Sequence, residues 1–205
     1  MNSKKFYFIK PEFMYMAGFY DRYGNRFSVV HEVHRTLIVE RSPIEILADS
    51  IRRIGFDLRG AIATAKSLLG DIQMCPIMVN PIHQICVFPT KSAKNDDTIW
   101  FNPNQIIRTK CCCQKTLVLL GNGRSILVPN KLSSFNTKLQ NADQLKKITT
   151  EFRNNPVTFT IEPKHDRLDF ITKRVQKRKK IHPQSEGPGK IHRPSSCGCL
   201  VWYLL

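Results

Sequence analysis

Acidic residues are scarce in this chain of 205 residues: 16 aspartates and glutamates stand against 32 lysines and arginines, a formal net charge of +16. Such an imbalance favours polyanionic partners, nucleic acid first and acidic membrane surfaces second. Long apolar runs are lacking too. No window approaches the roughly 20 apolar residues that span a bilayer, so no membrane partner is expected. No secretory leader is legible, because Lys10, Pro11 and Glu12 interrupt the only N-terminal apolar stretch and no small-residue cleavage site follows. The seven cysteines lack the spacing of a disulfide framework, since Cys111, Cys112 and Cys113 are contiguous. Together these absences predict free thiols in a reducing compartment, hence a cytoplasmic protein.

The usual marks of chemistry are missing as well. The chain has no G-x-S-x-G, no phosphate-cradling glycine loop and no H-E-x-x-H. Zinc sites want paired ligands spaced to face one metal. Three adjacent cysteines in a strand alternate faces and do not converge. His83-Gln84-Ile85-Cys86 has no matching pair nearby, and Cys197-Gly198-Cys199 is the other close one. A Cys86–histidine nucleophile pair would need convergence in space. The expectation is therefore a protein without cofactor, metal or catalytic residue; a zinc- or thiol-dependent enzyme is the distant alternative.

What is present begins with 41% apolar residues, enough for a real core. The chain is organised around Cys75 to Thr90, where two apolar runs, Ile77 to Val79 and Ile85 to Phe88, flank Asn80-Pro81-Ile82-His83. Proline presets φ and asparagine folds onto its own backbone, so this reads as two buried strands and a tight turn at the centre of a β core. Upstream, Phe6 to Ile9, Phe13 to Tyr20, Arg26 to Val33 and Thr36 to Glu40 read as a β-meander. Ser42-Pro43-Ile44-Glu45 is a capping box, and the apolar spacing behind it predicts a helix ending at Gly55. Residues 55–60 read as loop, and Ala61 to Leu69 as a short helix ending at Gly70.

Farther on, a polar loop from Lys91 to Thr98 leads to Ile99-Trp100-Phe101, and Ile106 to Leu120 reads as strand broken around Thr109 to Lys115. Asn122-Gly123 between two apolar runs predicts a hairpin. From Ser133, Phe135, Leu139, Ala142, Leu145, Ile148 and Phe152 keep helical spacing for about five turns, until Asn154-Asn155-Pro156. Val157 to Ile161 reads as a strand, and Pro163 opens a last helix. Residues 173–205 carry eight lysines and arginines against the single acid Glu186, with prolines and glycines that argue against packing. The fold expected is α+β, with a predominantly antiparallel β core, two or three helices and a flexible basic C-terminal tail. The domain spans residues 1–172 and the tail 173–205.

Several of these residues, taken in order, resemble a known family. Pro76-Ile77-Met78-Val79, Gln84-Ile85, Phe88-Pro89-Thr90 and then Trp100 are similar to the central motif of the ComK family of bacterial competence transcription factors. Gly55-x4-Gly60 stands upstream at matching spacing. Asn122-Gly123, Pro129, Ser134-Phe135 and Pro163-Lys164-x-Asp166-Arg167 follow in matching order. The resemblance covers residues 40–172; Ala61, where many members have a basic residue, and the longer tail depart from it.

The resemblance implies a DNA-binding activator of DNA-uptake genes, reading paired A/T-rich boxes through the minor groove as a homodimer or homotetramer. It also implies turnover through an adaptor of an ATP-dependent protease, with Phe159, Pro163, Lys164, Asp166 and Arg167 in the recognised segment. A narrow A/T minor groove is strongly negative and rewards inserted arginine. The candidate DNA contacts are Arg52, Arg53, Arg59, Lys66, Arg108, Lys110, Lys115 and Arg124, near loops and strand ends. Aromatic residues do not interleave with these cations in the sequence, which disfavours single-strand stacking. A degenerate paralogue that binds DNA weakly or titrates the adaptor without activating is the alternative.

Overall fold

The computed structural model describes residues 3–154. Ten strands and three helices follow in the order β1 (Ser3–Lys4), β2 (Phe13–Tyr20), β3 (Arg26–Glu32), β4 (Thr36–Val39), α1 (Pro43–Arg52), α2 (Leu58–Leu69), β5 (Ile77–Asn80), β6 (Ile85–Pro89), β7 (Ile99–Phe101), β8 (Ile106–Cys112), β9 (Lys115–Leu120), β10 (Ser125–Val128) and α3 (Leu132–Asn154). Seven strands form one sheet in the order β1-β4-β3-β2-β7-β6-β5; β10-β9-β8 form a second. Every pairing is antiparallel except β1 with β4. This is the expected α+β class. The expected strand at Val157 to Ile161, the helix from Pro163, the five adaptor-segment residues and the tail lie outside the described residues.

The large sheet is covered on both faces, which sorts its side chains into two cores. Phe13, Met16, Val30, Val39, Val79, Ile85 and Val87 pack with Ile46, Leu47 and Ile51 of α1, and Leu58 and Ile62 of α2 lie against them. Met14, Cys86, Phe88 and Phe101 face the other way, toward Val118, Leu120 and Val128 of the small sheet and Phe135, Ala142 and Leu145 of α3. β6 is buried at every position. Although it is the central motif of the sequence, it lies next to the sheet's end, with β5 outside it. Two covered faces, not a middle place in the sheet, make it a continuous apolar run. Phe135 holds α3 down, its ring edge-on to Phe88 and Phe101 at 5.5 Å from each.

Local chemistry accounts for the boundaries. The capping box forms as read: Ser42 N donates to a Glu45 carboxylate oxygen at 2.8 Å, and Glu45 N donates to Ser42 Oγ. Asn80 Oδ1 accepts from the backbone N–H groups of Ile82 and His83, which turns the chain from β5 into β6. Three expectations are corrected. First, α2 begins at Leu58 rather than Ala61, because Asp57 caps it by accepting from Gly60 N at 3.2 Å. A Cβ on Gly60 would stand 2.6 Å from that carboxylate oxygen, so any larger residue there makes the Asp57 side chain shift from its capping position. Second, Phe6 to Ile9 is not a strand. Side chains anchor it instead: Ile9 N donates to Ser50 Oγ of α1, and Tyr7 Oη donates to Glu32 of β3.

Third, β8 runs unbroken through Thr109 and Lys110 to Cys112. The break lies only at Cys113-Gln114, both at positive φ (47° and 61°). Two consecutive positive φ values make the turn that matches strand twist, here without the usual glycine or asparagine. The Asn122-Gly123 hairpin forms as expected, but with positive φ at Gly123 alone.

Candidate nucleic-acid interface

The small sheet has an inner and an outer side chain set. Thr116, Val118 and Leu120 of β9 are buried against the core, so Lys115, Leu117 and Leu119 point outward. In register, Arg108 opposes Leu119, Lys110 opposes Leu117 and Cys112 opposes Lys115. On the other side Ser125 opposes Leu119 and Leu127 opposes Leu117. The outer face thus carries three cations, Arg108, Lys110 and Lys115, around a patch of Leu117, Leu119 and Leu127. The chain has no aspartate or glutamate between Asp97 and Asp143. Among the described residues, Arg108, Lys110 and Lys115 make no salt bridge.

Arg124 leaves this group. Its backbone carbonyl accepts from Leu120 N, an inward-facing position. Its charge reaches the other sheet instead, where Tyr15 and His31 stack with ring centroids 4.3 Å apart. Burial, reinforced by the Arg124 charge, pushes the His31 imidazole below its ordinary range. His31 Nδ1 lies 3.0 Å from Thr36 Oγ1.

The other four candidates lie on the helices or, for Arg53, at the C-terminal cap of α1. Arg52 ends α1 with Nη1 at 3.0 Å from Asp49 Oδ1. The Arg53 guanidinium stacks 4.3 Å from the Phe8 ring centroid, and Arg41 stands 5.0 Å from that of Phe6. Lys66, in the last turn of α2, is 2.8 Å from Asp71. Arg59 is exposed in the first turn of α2. The eight candidates therefore divide: three share one face, and five are spread over three other places. Aromatic–arginine pairing, which the sequence order hid, occurs at Phe6 and Phe8. These rings lie more than thirty positions from their cations, so no local signal marks them. The acid-free stretch was open to inspection in the sequence.

The thiols separate as well. Cys86 is buried among apolar side chains, and burial pushes it up to about 12; Cys75 is raised for the same reason. Neither is set up as a nucleophile. His83 is exposed while Cys86 is buried, so the H-x-x-C pair does not converge. Among the described residues, no group of three His, Cys, Asp or Glu side chains is placed to hold a metal. Cys111, Cys112 and Cys113 are exposed at the hairpin tip. Glu32 is the buried carboxylate among the described residues. Burial alone would raise it, but hydrogen bonds donated by Arg35 and Tyr7 hold it below the usual carboxylate range. Among the described residues no helix is long and apolar enough to cross a membrane.

Comparison with known proteins places this surface in context. The family model described as "ComK protein" matches residues 4–154, which takes in every described element from Lys4 onward. The competence transcription factor of Bacillus subtilis (strain 168) is 25% identical over 167 residues, covering 76% of this chain and 85% of that protein. No solved structure matches. With the family model covering well over half its length, this chain belongs to the ComK protein family.

Proposed function

We propose that this protein is a DNA-binding transcription factor of competence genes, and that it meets double-stranded DNA with the outer face of the small sheet. The observation that carries the reading is the grouping of Arg108, Lys110 and Lys115 on one exposed face within a stretch free of carboxylates. Such a face attracts phosphate without first breaking internal ion pairs. Its relative, named a competence transcription factor, supports the direction of the reading.

The finer reading is a preference for A/T-rich boxes through the minor groove. Arginine gains most in a narrow A/T groove, and minor-groove proteins commonly press apolar side chains against base steps. Arg108 beside Leu119, with Leu117 and Leu127 adjacent, offers that combination. Paired boxes imply an even oligomer with matching half-site spacing. Handover to a protease adaptor through Phe159, Pro163, Lys164, Asp166 and Arg167 belongs to the same family reading.

The test is affinity for a duplex with two A/T-rich boxes and for a G/C-rich duplex of equal length, each over a salt series. Preference for the A/T duplex that persists as salt rises is the expected result. Equal affinities that collapse together would reduce the reading to a cationic protein attracted to phosphate.

A further inference from the structure

The small sheet carries a chemistry that DNA binding does not use. Cys111, Cys112 and Cys113 sit at the tip of the β8–β9 hairpin, all exposed. Strand alternation gives them different surroundings. Cys112 shares the outer face with Lys110, two residues back, and lies directly opposite Lys115. Side chains so opposed have Cβ atoms about 5 Å apart, and same-face neighbours along a strand about 7 Å. Cys111 points to the other face. Cys113 occupies the turn at φ 47°. Of the cysteines in the described residues, Cys112 alone is exposed and bracketed by two lysines on an acid-free face.

We infer that Cys112 is a modification site for anionic low-molecular-weight disulfides, and that the adduct closes the DNA-binding face; the second half rests on the function proposed above. The lysines and Arg108 concentrate an anionic reagent near the thiol, as a cationic surface steers any anion. The Cys112 thiolate attacks one sulfur of the reagent. A new S–S bond forms as the reagent's own S–S bond breaks, and its other half leaves as a thiolate that takes up a proton. The protein sulfur is oxidised, the leaving sulfur is reduced, and no further oxidant is needed. Within the strand, Cys111 cannot reach back to resolve the adduct, because adjacent side chains point to opposite faces. An external thiol removes the adduct by the reverse exchange. It places carboxylates between Lys110 and Lys115, on the face otherwise without them.

The test uses the full chain and oxidised glutathione as the anionic probe, with bis(2-hydroxyethyl) disulfide as the neutral one. Adducts are mapped by peptide mass spectrometry over time across all seven cysteines. Cys112 is expected to react first with oxidised glutathione, roughly fivefold or more ahead of Cys111 and Cys113, with a lead that shrinks as salt rises. The neutral probe should show neither the lead nor the salt effect. Lys110→Gln with Lys115→Gln should remove the lead with oxidised glutathione. Equal labelling of the three, labelling that begins at Cys197 or Cys199, or a lead indifferent to salt would overturn the site.

Duplex affinity is then compared before and after labelling. A drop on the order of tenfold, reversed by a reducing thiol and absent in Cys112→Ser, is expected. An adduct at Cys112 with unchanged affinity overturns the blocking step. Failure of the reduced protein to bind any duplex overturns the DNA reading and the blocking step together, and the labelling map still decides the site.

Discussion

The helical side and the small sheet are both basic, yet they differ in what accompanies each cation. Around the first two helices most arginines and lysines arrive with a neutralising or covering neighbour: Arg52 with Asp49, Lys66 with Asp71, Arg41 with Glu45 and Arg53 with Phe8, with Arg59 the exception. On the small sheet Arg108, Lys110 and Lys115 share a face with leucines and a cysteine, and no carboxylate lies nearby in sequence. Cation count would rank these regions as equals. The distribution of acids ranks them, because a paired cation must lose one partner to gain another, whereas an unpaired one gives up only counterions.

That contrast can be broken most severely by Arg108→Ala, Lys110→Ala and Lys115→Ala combined. Duplex affinity should fall on the order of a hundredfold, and the salt slope should flatten by about 0.9 per lost phosphate contact. Fluorescence anisotropy across a salt series measures both, with circular dichroism as the check on folding. Leu117→Glu, which plants one carboxylate among the cations, should weaken binding roughly tenfold while leaving the melting temperature nearly unchanged.

Acid should sharpen the contrast. Glu32 and Glu45 are held below the ordinary carboxylate range, so the stability they supply is complete above that range and is lost as pH falls through their folded values. His31 is also depressed, so the unfolded chain takes up its proton first and acid costs stability there too. Thermal unfolding followed downward from neutral pH should show a falling melting temperature, less steep in Glu32→Gln.

Smaller effects are expected on the helices. Gly60→Ala should disturb the Asp57 cap and cost about 1 kcal/mol in chemical denaturation, with duplex affinity unchanged. Smallest of all, Arg52→Ala and Lys66→Ala should each alter duplex affinity by less than about twofold. A large loss from either would show that counting acids picked the wrong surface.

Much of the architecture was legible because it rests on short-range rules. The Ser42–Glu45 capping box, the Asn80 turn, the Asn122-Gly123 hairpin and the apolar spacing of α3 each depend on residues within a few positions of one another. What escaped notice depends on longer range or on rare chemistry. The α2 start is set by Asp57, whose carboxylate closes over Gly60 to accept from its N–H. The turn at Cys113-Gln114 lacks the residues that normally announce positive φ. Phe6 to Ile9 has the composition of a strand but finds its partners on α1 and β3. In the candidate interface, the sequence named all three cations of the outer face. It could not separate them from Arg52 or Lys66, because strand register and ion pairing appear only in space.

The closing of the large sheet has a consequence for how the chain is made. β2 pairs with β3 on one edge soon after both exist, but its other edge waits for β7. Asn102 Nδ2, which donates to the Phe13 carbonyl beside that edge, lies 89 residues farther along. At roughly 5–20 residues per second, a ribosome takes about 4–18 s to cover that distance. During that interval the nascent meander presents an unpaired strand edge rich in aromatic and methionine side chains. The order in which this sheet is synthesised therefore sets a window in which the growing chain depends on its surroundings for protection.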